Sequence, residues 1–257
     1  MNRTGLLIAL AIVTVVGTVF AVDPHLDIVL SGQFYDADAR RWRVLDWPSG
    51  RVRHIAGWLI ATVAAPAFIA LALKLLWPPL RLLVPGRAIV LMITTLALGP
   101  GLLVNVILKD NWGRPRPQFL TEFGGDAPLL PWWDPRGQCE KNCSFVAGEP
   151  SGAFWTLAPA AVVPPPWRAA AYAAALALGA AVGVLRMSAG GHFFTDVVFG
   201  GVLTFLLIWL MHGLLYRWRT TRVTDAAIER GIERIGRPGY NVFMRLVARI
   251  RGAAPRN

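Results

Sequence analysis

Six stretches of this chain read as membrane crossings, and nothing else in the sequence constrains its fold so tightly. They cover about 5–22, 55–77, 88–108, 150–166, 169–186 and 192–216. A helix needs roughly 20 mostly apolar residues to cross the hydrocarbon core, where it satisfies its backbone polar groups internally. The expected fold is all-α and integral to the membrane, with six transmembrane helices in a bundle. Only 16% of the 257 residues are charged, against about 25% in soluble domains, and no segment reads as a separate soluble domain or repeat. The first stretch follows Arg3 and also fits a signal peptide, with Val19-Phe20-Ala21 as a poor cleavage site; its length favours an uncleaved anchor. The fourth is short, opening at Pro150 and closing at Pro164-Pro165-Pro166. Proline suits a helix's first turn and stops one at its other end.

A net charge of +11, carried by 23 Arg and 3 Lys, suits nucleic acid, acidic lipid or a phosphate ligand. Nucleic acid fits poorly, because the charge sits between and after the apolar stretches. The tail beyond Tyr216 holds ten Arg and three acids, which places it inside, together with Arg81, Arg87 and Arg168. The 23–53 loop argues the other way with five Arg, although it also carries Asp23, Asp27, Asp36, Asp38 and Asp46. With the tail deciding, 1–216 is the membrane domain, its core about 55–216, and 217–257 a basic cytoplasmic tail. In that tail Ile228, Ile232, Ile235, Phe243, Leu246, Val247 and Ile250 recur at helical spacing, interrupted at Pro238-Gly239. The pattern fits an amphipathic helix on anionic lipid, or a solvated tail.

Three polar clusters then share the opposite, outer face: 109–117 (KDNWGRPRP), 144–151 (SFVAGEPS) and 186–196 (RMSAGGHFFTD). Ionisable groups at span ends are either snorkelling anchors or functional, and three clusters with complementary chemistry favour a site. His192 and Asp196, four apart at a helix start, share a face. A carboxylate there fixes an imidazole's tautomer and steadies the charge that forms when the ring attacks. Such a pair alone is usually structural. Gly190-Gly191, which permits a tight turn, and Arg186, whose fork of donors matches phosphate oxygens, strengthen it. Lys109, Arg114 and Arg116 place three cations in eight residues, stiffened by Pro115 and Pro117. They repel one another unless an anion sits among them; the bland reading is headgroup contact or solvation. Pro150 at a helix start puts 146–149, with Gly148 and Glu149, at an N-terminus that favours an anion. Cys139 and Cys143 share one polar loop, which suggests a small disulfide if the loop is extracytoplasmic, or two free thiols otherwise.

Together these residues resemble the type 2 phosphatidic acid phosphatase (PAP2) superfamily of membrane lipid phosphatases, over about 55–216. The family's pattern is Lys-x6-Arg-Pro, then Pro-Ser-Gly-His, then Ser-Arg-x5-His-x3-Asp. Lys109 with Arg116-Pro117 matches the first element in full. Arg186, His192 and Asp196 match the third, with Leu185 in place of its Ser. The second departs. Setting it after Ser144-Phe145 gives Val146-Ala147-Gly148-Glu149, with Glu149 at the family's acid His. The alternative, Pro150-Ser151-Gly152, puts Ala153 there. The first keeps an acid.

The resemblance implies a helix-bundle core and a phosphohistidine on His192 oriented by Asp196. Lys109, Arg116 and Arg186 would hold the phosphoryl oxygens, with Arg114 and Gly148 beside them, and Glu149 would be the third catalytic group. It implies no metal or other cofactor. Partners are the bilayer and a phosphorylated lipid. Likeness to bacterial lipid A phosphatases, and a broad loop over 121–142 whose Gly124-Gly125 and Trp132-Trp133 would flank a headgroup, put lipid A phosphate first. Undecaprenyl diphosphate and phosphatidylglycerol phosphate follow. The setting is a bacterial inner membrane with the site on the periplasmic side. A leaving alkoxide needs a proton, so Glu149 is either a general acid or a sign of a diphosphate substrate. His25 and His54 are alternative acids on the same face; His212 falls near the inner end. The rivals are phosphoryl transfer between lipids and non-catalytic phospholipid binding. A vanadate-dependent haloperoxidase shares the family's site, but the apolar spans tell against it.

Overall fold

The computed structural model of the chain describes the backbone of residues 1–43 and 49–252, and the side chains of 1–43 and 54–249. Asp46 and the side chains of Arg51, Arg53 and Ile250 lie outside these. In order come α1 (Arg3–Val22), α2 (His25–Gly32), a two-residue antiparallel pair β1 (Tyr35–Asp36) and β2 (Arg41–Trp42), and α3 (Ser49–Leu76). Next are α4 (Gly86–Asn111), α5 (Gly148–Phe154), α6 (Leu157–Val162), α7 (Pro165–Ser188), α8 (Phe194–Arg217) and α9 (Asp225–Gly252). Among the described residues five helices are long and apolar enough to cross a membrane: α1, α3 from His54, α4, α7 and α8. The fold is helical as expected; the expected count of six spans is not confirmed among the described residues.

The stretch expected to be the fourth span is α5 and α6, interrupted at Trp155-Thr156. Its apolar character serves the protein core instead of lipid. Pro150, Ser151, Gly152, Ala153 and Ala158 are buried. The fully buried Trp155 indole donates to the Met92 carbonyl at 3.2 Å and to Thr95 Oγ1 at 3.0 Å. Glycines on α7 and α8 let these helices close in, since a Cβ on Gly179 or Gly201 would strike the Phe154 ring. The segment still carries the chain from one end of the bundle, where Gly148 lies against Lys109, towards the other, where Arg168 donates to the Val163 carbonyl.

Two features position the ends. α4 winds as a π-helix over Ala97–Leu108 before its last turn, and Asn105 Nδ2 donates to the Pro100 carbonyl at 2.6 Å within it. This wider winding ends immediately before Lys109; such segments often mark functional sites. At the opposite end α9 runs through Pro238 without the expected break. The proline and the residue four before it, Arg234, are both exposed, so the carbonyl that loses its hydrogen bond faces outward, where a helix tolerates the loss.

Candidate active site

The link between α7 and α8 carries His192. Gly190 has φ +64° and the Trp42 ring stands where its Cβ would be, so only glycine fits this turn. Trp42 is held there by Tyr35 and Phe123, at ring separations of 5.3 and 4.9 Å. Gly191 likewise leaves room for the Arg186 guanidinium. His192 is 1% exposed. Its Nδ1 lies 2.8 Å from the Ser144 carbonyl oxygen and 3.8 Å from Asp196 Oδ2. A carbonyl only accepts, so Nδ1 carries the proton and Nε2 keeps the lone pair. Asp196 stands beyond hydrogen-bond range and acts on the ring as a charge. Burial pushes the His192 pKa below its ordinary value, Asp196 opposes this, and the charges of Arg186 and Lys109 add to the lowering. The lowered pKa favours the neutral ring.

Asp196 orients that ring through a neighbour. Its Oδ2 accepts from Ser144 Oγ at 2.5 Å and from the Phe193 N–H at 2.8 Å, while Oδ1 accepts from Arg114 Nη1 at 2.6 Å. Arg114, expected beside the phosphate, is 0% exposed, and its guanidinium is engaged by protein partners. Its Nη2 donates to Asp27 at 2.8 Å, its Nε to the Leu130 carbonyl at 3.0 Å, and its guanidinium covers the Phe193 ring at 4.1 Å. Thr195 closes the network, donating from Oγ1 and from its N–H to the two oxygens of Asp27. Burial raises the Asp27 pKa, and the Arg114 charge counters that. One guanidinium thus sits between two carboxylates, and the arrangement braces the start of α8.

Lys109 and Arg116 meet on one residue that the sequence did not suggest. Asn142 Oδ1 accepts from Lys109 Nζ at 3.0 Å and from Arg116 Nη2 at 2.8 Å, and the Asn142 carbonyl takes a second bond from Arg116. Asn142 has φ +54°, a conformation asparagine tolerates. The Cys139–Cys143 disulfide closes the short loop that presents it, and the Cys143 N–H donates to the Lys109 carbonyl.

Lys109, Gly148, Glu149 and Arg186 line a cavity of about 810 Å³ between α3, α4, α5 and α7, and Asn105, His54, Ile60, Pro100 and Val182 are also on its wall. Glu149 pairs with Arg186, Oε2 to Nε at 2.5 Å. Ala153, the rival position for the acid, is fully buried. His192 and Arg116 do not line the cavity. Of the other histidines, His54 is on the cavity wall, His25 is exposed on α2, and His212 stacks on Tyr216 towards the far end of α8. Trp132 is no headgroup wall: its Nε1 donates to the Gly17 carbonyl on α1 and its ring packs on Phe199. Sequence reasoning missed Asp27, Ser144, Asn142 and Thr195 as parts of the site. Thr195 and Ser144 lie within or beside the motifs, whereas Asp27 is 87 residues from Arg114 and carries no local signal.

The profile of the PAP2 superfamily matches residues 88–221, more than half of the chain. Over 219 residues the chain is 33% identical to a protein of Francisella tularensis subsp. novicida (strain U112) named Lipid A 4'-phosphatase, covering 84% of this chain and 98% of that one. Proteins of the same name from Rhizobium leguminosarum and Rhizobium etli are 42% and 41% identical over 106 and 105 residues, each covering 41% of this chain and 46% and 41% of their own lengths. No solved structure matches. With its motifs gathered at one end of an apolar helix bundle, the chain belongs to the PAP2 superfamily of membrane lipid phosphatases, enzymes that hydrolyse phosphoric esters.

Proposed function

We propose that this protein removes a phosphate from lipid A, or a closely similar lipid phosphomonoester, on the periplasmic side of a bacterial inner membrane, through a phosphohistidine on His192. The observation that supports this most is the protonated Nδ1 on the Ser144 carbonyl, which leaves Nε2 as the attacking atom. The substrate class rests on the likeness to a protein named for it along 98% of that protein's length.

In the first half-reaction Nε2 bonds to phosphorus and the bond from phosphorus to the sugar oxygen breaks. The leaving oxygen takes a proton. Lys109, Arg116 and Arg186 balance the charge on the phosphoryl oxygens. In the second half-reaction water attacks the phosphohistidine, losing a proton, and inorganic phosphate departs with His192 restored. Glu149 supplies the first proton and takes up the second; its position on the cavity wall beside Arg186 supports this role.

Phosphate release tests this on lipid A, phosphatidylglycerol phosphate and undecaprenyl diphosphate, each with wild type, His192→Ala and Glu149→Gln. Wild type is expected to prefer lipid A, and His192→Ala to release none. Glu149→Gln should slow the monophosphates roughly 100-fold, the ordinary scale of a general acid, and the diphosphate much less. An equal loss on all three would make Glu149 only the holder of Arg186.

A further inference from the structure

α9 presents one continuous apolar face to two different surroundings. Residues three and four apart share a face of a helix, so Ile228, Ile232, Gly236, Tyr240, Phe243 and Leu246 are aligned. The first four lie against protein. Gly236 backs onto the Leu75 carbonyl with no room for a Cβ, and the Tyr240 ring meets Trp77 edge-on at 5.1 Å. Polar links reinforce the docking. Arg87 holds Asp225 through two side-chain bonds, and the buried Lys74 ammonium reaches Glu229 at 3.1 Å and Glu233 at 3.5 Å. These contacts involve only 74–77 at the end of α3, the turn after it and 86–87 at the start of α4. A helix running alongside a span would touch it over several turns. α9 instead crosses the end of the bundle, which lays it along the plane of a bilayer.

Beyond Tyr240 the same face is exposed among the described residues. Val242, Phe243 and Leu246 are 57%, 52% and 51% exposed. The charge changes at the same place. All three acids of α9, Asp225, Glu229 and Glu233, are in the docked half and paired with cations, whereas 241–252 holds three Arg and no acid. Arg245 and Arg249 are exposed, the first on the side of the helix away from Phe243 and the second beside Leu246, three residues on. An apolar strip flanked by uncompensated Arg, held level with a membrane surface, is the form of an interfacial helix for anionic lipid.

We propose that 241–249 is a membrane-surface segment of the leaflet opposite the active site. Val242, Phe243 and Leu246 enter the acyl boundary, and Arg245 and Arg249 contact anionic headgroups. The docked half fixes the direction in which it lies. This inference is independent of the lipid that the active site hydrolyses.

Hydrogen exchange of the full-length protein, in nanodiscs of phosphatidylcholine alone and of phosphatidylcholine with phosphatidylglycerol, tests it. Amides of 242–249 should exchange roughly tenfold more slowly in the anionic discs, as two or more Arg at a charged surface would produce, while those of 228–236 stay equal. Phe243→Glu with Leu246→Glu should remove the difference, with 228–236 reporting that α9 is still docked. Equal exchange of 242–249 in both discs would overturn the proposal. So would protection that appears only with two copies per disc, since a second chain would then cover the strip.

Discussion

At the scale of single residues, Asp196 reaches the His192 ring at one remove. Ser144 touches the His192 ring through its carbonyl and Asp196 through its hydroxyl, and Asp196 is fixed by Arg114, which Asp27 balances. Asp27 touches no reacting atom and is a positioning residue. Asp27→Asn preserves its shape but removes a countercharge, and kcat should fall roughly 10- to 100-fold, the usual cost of losing an outer partner of a functional histidine, with KM little changed. Steady-state kinetics check this; a rise in KM with kcat intact would move Asp27 to substrate binding. The His192 pKa, lowered by burial, sets a second expectation. Only the neutral ring attacks, and a depressed pKa keeps it neutral to lower pH. The acid limb of kcat/KM should therefore fall below about 6.5, the free histidine value. A limb at or above that value in a pH series contradicts the burial argument.

At the scale of elements, the disulfide-closed loop sets the spacing of two cations. Asn142 holds Lys109 and Arg116, and each hydrogen bond to a charged group contributes about 1.5–3 kcal/mol. Asn142→Ala should raise KM about tenfold with a smaller effect on kcat, and reduction of Cys139–Cys143 should act in the same direction. Kinetics with and without reductant measure both. The elements also show what was legible in the sequence. Lys109, Arg116, Arg186, His192 and Asp196 stood out as candidates because their chemistry sits at fixed spacing in or near helix ends, and the cysteine pair was readable because both share one loop. The buried partners of Arg114 were not legible, because a cation beside two others looks like an anion site, while the acids paired with it come from α2 and α8. The count of six spans is not confirmed because apolar composition does not distinguish a segment facing lipid from one facing a protein core; the buried Trp155 and the glycines at Phe154 show the fourth stretch packed on protein.

At the scale of the whole molecule, the bundle separates two chemistries. One end carries the His192 ring with its carboxylate network and, near them, a cavity of about 810 Å³ lined by Lys109, Glu149 and Arg186 together with apolar residues. Its other end carries α9 and its Arg. The central claim is that the phosphoryl group passes through His192. The most direct measurement is rapid acid-free quenching of the enzyme with lipid A labelled in its phosphate with 32P, followed by alkaline denaturing gel and peptide mapping. The account predicts alkali-stable, acid-labile label on the peptide containing His192, chased by water into inorganic phosphate, and no label on His192→Asn. Turnover by His192→Asn at the wild-type rate, or label on any other residue, would contradict it.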